Sequence, residues 1–476
     1  MRLSLTDLHH SIEPRLPAFY LALTLLLGGL YACITPPFFA PDEAPHSMRG
    51  LQVASGTLLA QVNPAGKGDV LDSAFSSTAA YFYGLVEKNV HQANRDRVVP
   101  RIAVEQLQSE RDVRWSGQPA FDSFAMTRIY PPTFYFPASI GWHISEARSY
   151  TIVHSLLLAR LCNLLFAAGI GWLALLLGKG YRWSIAAILL IPALLALDGS
   201  CSQDAMIVSS AALGIAVLSR PLIDKRLPWI WELALAGVAL CAVGMTRPPY
   251  MLLLVSLALP AVELRCLTWR GLLPPIVIGL VAFVMDFSWY LAVRPLGYLV
   301  GPGAQPAAQF VFLSHNPLRG LGYVLLGLLR AIPILGSSIA EAGSGDVRPS
   351  RIIDFFVLLV VVTVLISQKT LLIQRVSSRL LVLLVCIGIS VGMAFAEYII
   401  WTSPAAKFFV DGLQIRHFLV FLPLLGLVSG FVRPPRAQLA QLCLLAIIPL
   451  DLWVLVFDAH TFYGSALFSA LRMYPL

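Results

Sequence analysis

The sequence predicts an all-α polytopic membrane protein with about eleven transmembrane helices and one large extramembrane loop. Three observations lead there. Of the 476 residues, 57% are hydrophobic and only 13% are charged, against roughly 25% charged in an average soluble domain; mean hydropathy is +0.75. Apolar runs of near-spanning length recur almost to the C-terminus. The Lys and Arg residues concentrate in short connections between those runs, as they do in cytoplasmic loops.

The first run, from Leu16 to about Phe39, is long for the apolar part of a signal peptide, and no clear small-x-small site follows it. It reads as an uncleaved first helix. The segments expected to span lie near 17–38, 150–178, 183–198, 205–219, 228–245, 249–264, 271–293, 352–367, 380–400, 414–431 and 437–457; the short ones need tilt or interfacial extension. A twelfth stretch, 318–335, carries Arg319 and Arg330 and is broken by Pro333 and several glycines. With the N-terminus inside, the cytoplasmic connections hold Lys179 and Arg182; Arg220, Lys225 and Arg226; Arg265 and Arg270; Lys369, Arg375 and Arg379; and Arg433 and Arg436. Were 318–335 a full span, the last two clusters would fall outside, so it is expected to be re-entrant or interfacial on the outer face. The chain thus divides into residues 1–39 (tail and first helix), 40–148 (a periplasmic loop with interfacial helices and an irregular segment) and 149–476 (the polytopic domain, with a second periplasmic loop at 296–351).

The formal charge of +8 does not signal nucleic acid, because no block of Lys and Arg is interleaved with aromatics. None of the seven cysteines forms a C-x-x-C and most lie in apolar runs, so they read as small core residues. There is no P-loop, dinucleotide fingerprint, nucleophile elbow or H-E-x-x-H. No internal repeat is visible, which counts against a transporter built from inverted halves.

The expected topology gathers five polar, non-basic stretches on the outer side. They are Asp42-Glu43, the turn from Asp198 to Asp204, Thr246 to Tyr250, the loop around Glu341 and Asp346, and Asp411 to His417. Convergence on one outer-leaflet site is the expectation; five separate solvated turns are the alternative. In Pro41-Asp42-Glu43-Ala44-Pro45-His46-Ser47-Met48-Arg49, Asp42 and His46 share a helix face at i,i+4 if Pro41 opens a helix. A carboxylate there can take a proton from a hydroxyl, and His46 can orient it or bind phosphate. The same residues also suit an ordinary capped turn, and Asp42 with His46 lacks a third metal ligand. Arg247 and Arg416 stand at outer helix ends, where a guanidinium can fork onto phosphate oxygens or snorkel to headgroups. Asp204 sits at the mouth of a span as site residue or N-cap. Asp286 falls inside an apolar span, where an ionisable group calls for a function or a partner; Glu397 is a milder case near an outer helix end.

The run Pro36-Pro-Phe-Phe-Ala-Pro-Asp42-Glu43-x-x-His46-x-x-Arg49-Gly50 resembles the first outer-loop signature of a bacterial family of predicted polytopic membrane proteins of unknown function, one grouped with the GT-C membrane glycosyltransferases. Ser200-Cys-Ser-Gln-Asp204 resembles the family's Ser-x-Ser-x-Asp turn. Gly412-Leu-Gln414-Ile-Arg416-His417-Phe418 resembles its Gly-x-Gln-Gly-Arg-Tyr-Phe motif, with Ile415 and His417 in place of Gly and Tyr.

The resemblance implies a GT-C-like fold and an inverting transferase on the periplasmic face of the inner membrane. Its donor is a polyprenyl-phosphate sugar and its acceptor an envelope glycan, such as O-antigen or lipopolysaccharide, or a lipid-linked acceptor. It assigns the acid/base role to Asp42, with Glu43 as alternate. Arg247 and Arg416, expected as phosphate binders from the topology and not from the resemblance, join His46, Arg49, Asp204, Gln414 and His417 in the expected substrate site. No cofactor is required, and a divalent cation is optional because phosphate is already a fair leaving group. Two other classes compete: a lipid-linked glycan flippase, which places polar residues at the midplane, and a non-catalytic scaffold, which tolerates loss of Asp42 and Glu43.

Overall fold

The computed structural model describes residues 13–63, 66–86, 104–336, 338–341, 350–367, 372–404, 409–429 and 437–463. Arg2, Asp346, Lys369, Arg433 and Arg436 lie outside the described residues.

The first membrane helix, α1 (Leu16–Ile34), has a proline in its first turn and ends at Thr35, whose backbone is extended. Pro36 and Pro37 follow; the residue before a proline avoids helical angles, and proline lacks the N–H a helix needs. The first loop then builds a small layer on the bundle: α2 (Glu43–Ala54), β1 (Gln61–Asn63), β2 (Gly66–Asp72), α3 (Ser73–Val86), α4 (Val104–Gln108), β3 (Pro119–Asp122) and α5 (Phe136–Ala147). The strands form one antiparallel sheet in the order β1-β2-β3, with Val62 opposite Lys67 and Val70 opposite Phe121. This small sheet is a local addition to a mostly helical chain, consistent with the all-α expectation. Its longest strand reads Gly-Lys-Gly-Asp-Val-Leu-Asp, too polar and glycine-rich to show the alternation that marks a strand.

The polytopic part follows. Its elements are α6 (Ile152–Leu177), α7 (Arg182–Leu189), α8 (Pro192–Asp198), α9 (Asp204–Ile223), α10 (Ile230–Gly244), a 3-10 stretch (Pro248–Ala258) running into α11 (Leu259–Glu263), and α12 (Trp269–Val293). Then come α13 (Pro306–His315), α14 (Pro317–Gly336), α15 (Arg351–Ile366), α16 (Val376–Ile400), α17 (Arg416–Leu419), α18 (Leu422–Gly426) and α19 (Ala437–Tyr463).

Among the described residues, six helical stretches are long and apolar enough to cross a membrane: Glu13–Ile34, Ile152–Leu177, Asp204–Ile223, Trp269–Leu296, Val376–Ile400 and Cys443–Tyr463. Ile230–Gly244 and Pro248–Glu263 are shorter apolar helices. Each of the eleven expected segments is at least partly helical, but three are not single regular α-helices. Segment 183–198 breaks ahead of Pro192, 414–431 splits into α17 and α18, and 249–264 is largely 3-10 after Pro248-Pro249.

Helix α6 organises the bundle by packing against α1, α5 and α9. One apolar core joins α1 and α7–α10 to α15, α16, α18 and α19. A second core, built on Phe38, Phe39, Phe75, Phe82 and Trp142, seats the first loop on α6. The stretch 318–335 falls within the continuous helix α14. Its Leu318, Leu321, Leu325, Leu329 and Ile332 are exposed, while Tyr323, Val324 and Ala331 are buried. Beyond it, Ile339 and Ala340 enter the main core, and Ala193 N–H lies 3.4 Å from the Ile339 carbonyl it donates to.

Candidate functional site

Two non-glycine residues at the start of the first loop have left-handed backbone angles: Phe38 at φ 61° and Asp42 at φ 54°. Aspartate tolerates that region; phenylalanine does so rarely. The loop is held by Arg160 of α6, which is fully buried. Its guanidinium donates to the carbonyls of Ala32 and Thr35 (both 2.8 Å) and Pro36 (2.9 Å), and to both Glu43 carboxylate oxygens (2.8 and 2.6 Å). Glu43 also accepts from the Cys201 N–H at 3.1 Å. Asn163, a turn further along α6, donates to the Ser200 (2.8 Å) and Ser202 (3.0 Å) carbonyls. One helix therefore fixes both the first loop and the 198–204 turn. Glu43, expected as the alternate base, is engaged by Arg160 and is not among the residues that line the cavity described below.

Asp42 caps the start of α2, and its carboxylate pairs with Arg416 at the start of α17. Arg416 also stands 3.2 Å from Asp204, the first residue of α9, and Arg247 donates to Asp204 at 2.8 Å. Arg247 is displayed there because α10 ends at Gly244 and Pro248-Pro249 forbid its continuation. The result is a chain of alternating charge, Asp42–Arg416–Asp204–Arg247. Four sequence-distant segments meet in it. Arg247 lies over the rings of Tyr130 (5.8 Å) and Tyr250 (5.7 Å), a cation–π arrangement. His46 bonds the Tyr135 hydroxyl at 2.7 Å and stacks on Tyr130 with an interplanar angle of 10°.

These groups surround a cavity of about 240 Å³. Asp42, His46, Arg247, Gln414, Arg416 and His417 line it, and so do Tyr130, Glu397 and Trp401. Asp204 lies beneath as the shared counter-ion. Arg49, also expected at the substrate site, is not among the lining residues. It is fully buried and donates to the Tyr130 carbonyl (3.1 and 2.9 Å) and the Leu58 carbonyl (2.7 Å), so it holds Tyr130 in place. Glu341 is not among the lining residues. Asp286 is fully buried on α12 and accepts from the Cys241 thiol at 3.3 Å.

Tyr130, Trp401 and Glu397 were absent from the expected site. An acid at the end of an apolar helix is the one signal that pointed to Glu397. Tyr130 and Trp401 resemble any interfacial aromatic.

Burial works to raise the Asp42 carboxyl, but the Arg416 guanidinium and then His46 outweigh it and hold it below the usual carboxylate range. Burial pushes His46 down to about 4 against the pull of Asp204 and Asp42, so the imidazole is neutral at physiological pH. Burial also raises the Tyr130 hydroxyl. The site thus holds a fixed carboxylate, two guanidiniums and neutral hydrogen-bonding groups. Among the described residues, no group of three or more His, Cys, Asp or Glu side chains is placed to hold a metal ion.

A second cavity, about 450 Å³, is lined by Lys225, Glu263, Gln374 and Arg375 among others. There the Gln374 N–H donates to Glu263 at 2.9 Å, and Arg375 also bonds Glu263. Helix α9 runs from Asp204 at the first site to Ile223 at the second. Its 20 residues rise about 1.5 Å each, which places the two about 30 Å apart, a hydrocarbon thickness.

No curated protein and no solved structure is significantly similar to the chain. Residues 25–425 match the family DUF2142, described as a predicted membrane protein. That span takes in the first loop, Asp204, Arg247 and the segment through Arg416 and His417, so the residues that build the cavity all fall inside the match. The chain belongs to the DUF2142 family of membrane proteins.

Proposed function

We propose that the protein is a membrane glycosyltransferase of GT-C type. It moves a sugar from a polyprenyl-phosphate donor to an envelope glycan or lipid-linked acceptor on the periplasmic face of the bacterial inner membrane. The observation that carries this reading is the cavity at the ends of the membrane helices, where Asp42 meets Arg247 and Arg416. Guanidiniums match the oxygens of a phosphodiester. The basic turns collect at the opposite end of α9, which supports an outward-facing cavity and, with it, the full set of eleven crossings with the N-terminus inside.

The acceptor oxygen attacks the anomeric carbon and its proton passes to Asp42. The bond from that carbon to the phosphate oxygen breaks, and polyprenyl phosphate leaves with the electron pair. Arg247 and Arg416 stabilise the charge that develops on it. At rest Arg416 is held by Asp42 and Asp204. A phosphate arriving at Arg416 takes over that partner and leaves the Asp42 carboxylate available. Gln414, His46 and His417 offer neutral hydrogen bonds to sugar hydroxyls. No step requires a cofactor or a divalent cation.

The test is transfer from a pool of polyprenyl-phosphate sugars to envelope glycans in proteoliposomes. Wild type is expected to transfer sugar. Arg247→Ala should weaken donor use, raising KM or lowering kcat/KM by about 10²-fold, as loss of a hydrogen bond between charged groups implies. Absence of transfer with every donor, in folded protein, would overturn the reading.

One observation favours a second reading, a proton-coupled transporter of lipid-linked glycans. Asp451 and Asp458 are buried along α19, and their carboxyl oxygens have no hydrogen-bond partner among the described residues. Acids inside a membrane helix often serve proton relays. Movement of a labelled lipid-linked glycan across proteoliposomes, lost in Asp451→Asn, would favour it.

A further inference from the structure

We propose that Glu397 is the proton-holding residue of the cavity, neutral at rest and donating a hydrogen bond to the phosphodiester of the bound donor. This rests on the reading of the cavity as the donor-phosphate site.

Glu397 sits in the last turn of α16, is 7% exposed and lines the cavity with Asp42, Arg247 and Arg416. The charges around it are already matched. Asp42 takes Arg416, while Asp204 takes Arg247 and the second face of Arg416. Glu397 is the excess carboxyl. Its Oε2 is buried with no hydrogen-bond partner among the described residues. An ionised carboxylate left without a partner in so enclosed a place is strongly disfavoured, whereas a neutral carboxyl keeps a hydrogen to donate.

The chain also makes room for this group. Gly412 adopts φ 83°, and a Cβ there would stand 2.6 Å from Glu397 Oε2 and 3.0 Å from Trp401 Cγ. A side chain at 412 would push the carboxyl out of the cavity. Gly412 opens the motif that delivers Gln414 and Arg416, so the same turn admits Glu397 and places the anion-binding arginine.

A phosphodiester entering this cavity adds one negative charge to a balanced set. Beside an ionised Glu397 it is repelled; beside a neutral one it gains a donor. Anion affinity is therefore full at low pH and falls as pH rises through the titration of Glu397. For one linked proton the fall is up to about tenfold per pH unit. The charged groups facing Glu397 are Arg247, Arg416 and Asp42, and the titratable cavity neighbours are His46, His417, Tyr130 and Tyr298. His46 titrates near 4, outside the working range.

The experiment measures binding of farnesyl methyl phosphate, a phosphodiester with constant single charge, to the full-length protein in lipid nanodiscs from pH 6 to 9. Wild-type affinity should fall roughly tenfold or more across that range. Glu397→Gln, which keeps a donor but cannot titrate, should bind as wild type does at pH 6 and stay flat. Flat binding by wild type would overturn the role of Glu397 and leave the donor reading intact. A slope persisting in Glu397→Gln would likewise overturn the role of Glu397 and leave the donor reading intact. No binding at any pH would overturn both.

Discussion

Asp42 holds a left-handed backbone angle with its carboxylate on Arg416, while its neighbour Glu43 turns away onto Arg160. The two adjacent acids therefore call for opposite outcomes on mutation. Asp42→Asn keeps the shape, loses the base and should lower kcat by about 10²–10⁴-fold, with thermal stability reduced only modestly; a steady-state transfer assay beside an unfolding curve reads both. His46 supplies a second residue-scale test. Burial holds it near 4 against an ordinary 6.5, so the unfolded chain binds a proton that the folded one refuses between those values. Stability is then full above about pH 6.5 and declines as pH falls toward 4, by up to about 3 kcal/mol. His46→Gln should flatten that part of a pH–stability profile; an unchanged profile would count against a buried neutral His46. The sequence made Asp42, His46, Arg247, Gln414, Arg416 and His417 legible because each is a polar group at the end of an apolar run. It did not separate Asp42 from Glu43 or Arg49 from Arg416. Which way a side chain turns depends on partners such as Arg160 and Tyr130, more than 80 residues away in sequence.

At the scale of elements, α6 carries the burden of placing the site. The Arg160–Glu43 pair is fully buried, and removing one partner of such a pair leaves an uncompensated charge that destabilises by about 3–5 kcal/mol. Glu43→Gln and Arg160→Ala should each lower the unfolding temperature and abolish activity together with the fold, unlike Asp42→Asn. Normal stability in Glu43→Gln would show that the pair is dispensable. The helical segments were legible because apolar runs of near-spanning length leave few alternatives in lipid. The breaks before Pro192 and between α17 and α18 were not, since hydropathy averages over them. The three-stranded sheet escaped because its strands are short and polar; packing against the first-loop helices, not an alternating pattern, holds it.

On the scale of the whole molecule, the account rests on two clusters at the two ends of α9: an ion-paired cavity at Asp204 and a basic cluster near Ile223. Of the basic turns expected on one side, Lys225 and Arg375 line one cavity, and four of the five non-basic stretches converge on the other. Of the fifth, the described residues around Glu341 contribute none to the lining, because the chain after α14 feeds Ile339 and Ala340 into the bundle core; Asp346 lies outside the described residues. The proposed orientation predicts that, in a background lacking the native cysteines, an impermeant maleimide added to intact spheroplasts labels Gly303→Cys but labels Lys225→Cys only after the membrane is opened. Labelling of both, or of Lys225→Cys alone, in intact spheroplasts would contradict it.

The central claim is tested most directly by sugar transfer in proteoliposomes with Asp42→Asn and Asp42→Glu compared against wild type at matched amounts of folded protein. The account predicts transfer by wild type, a fall of about 10²-fold or more in kcat for Asp42→Asn, and partial recovery in Asp42→Glu. Transfer at the wild-type rate in Asp42→Asn would contradict it.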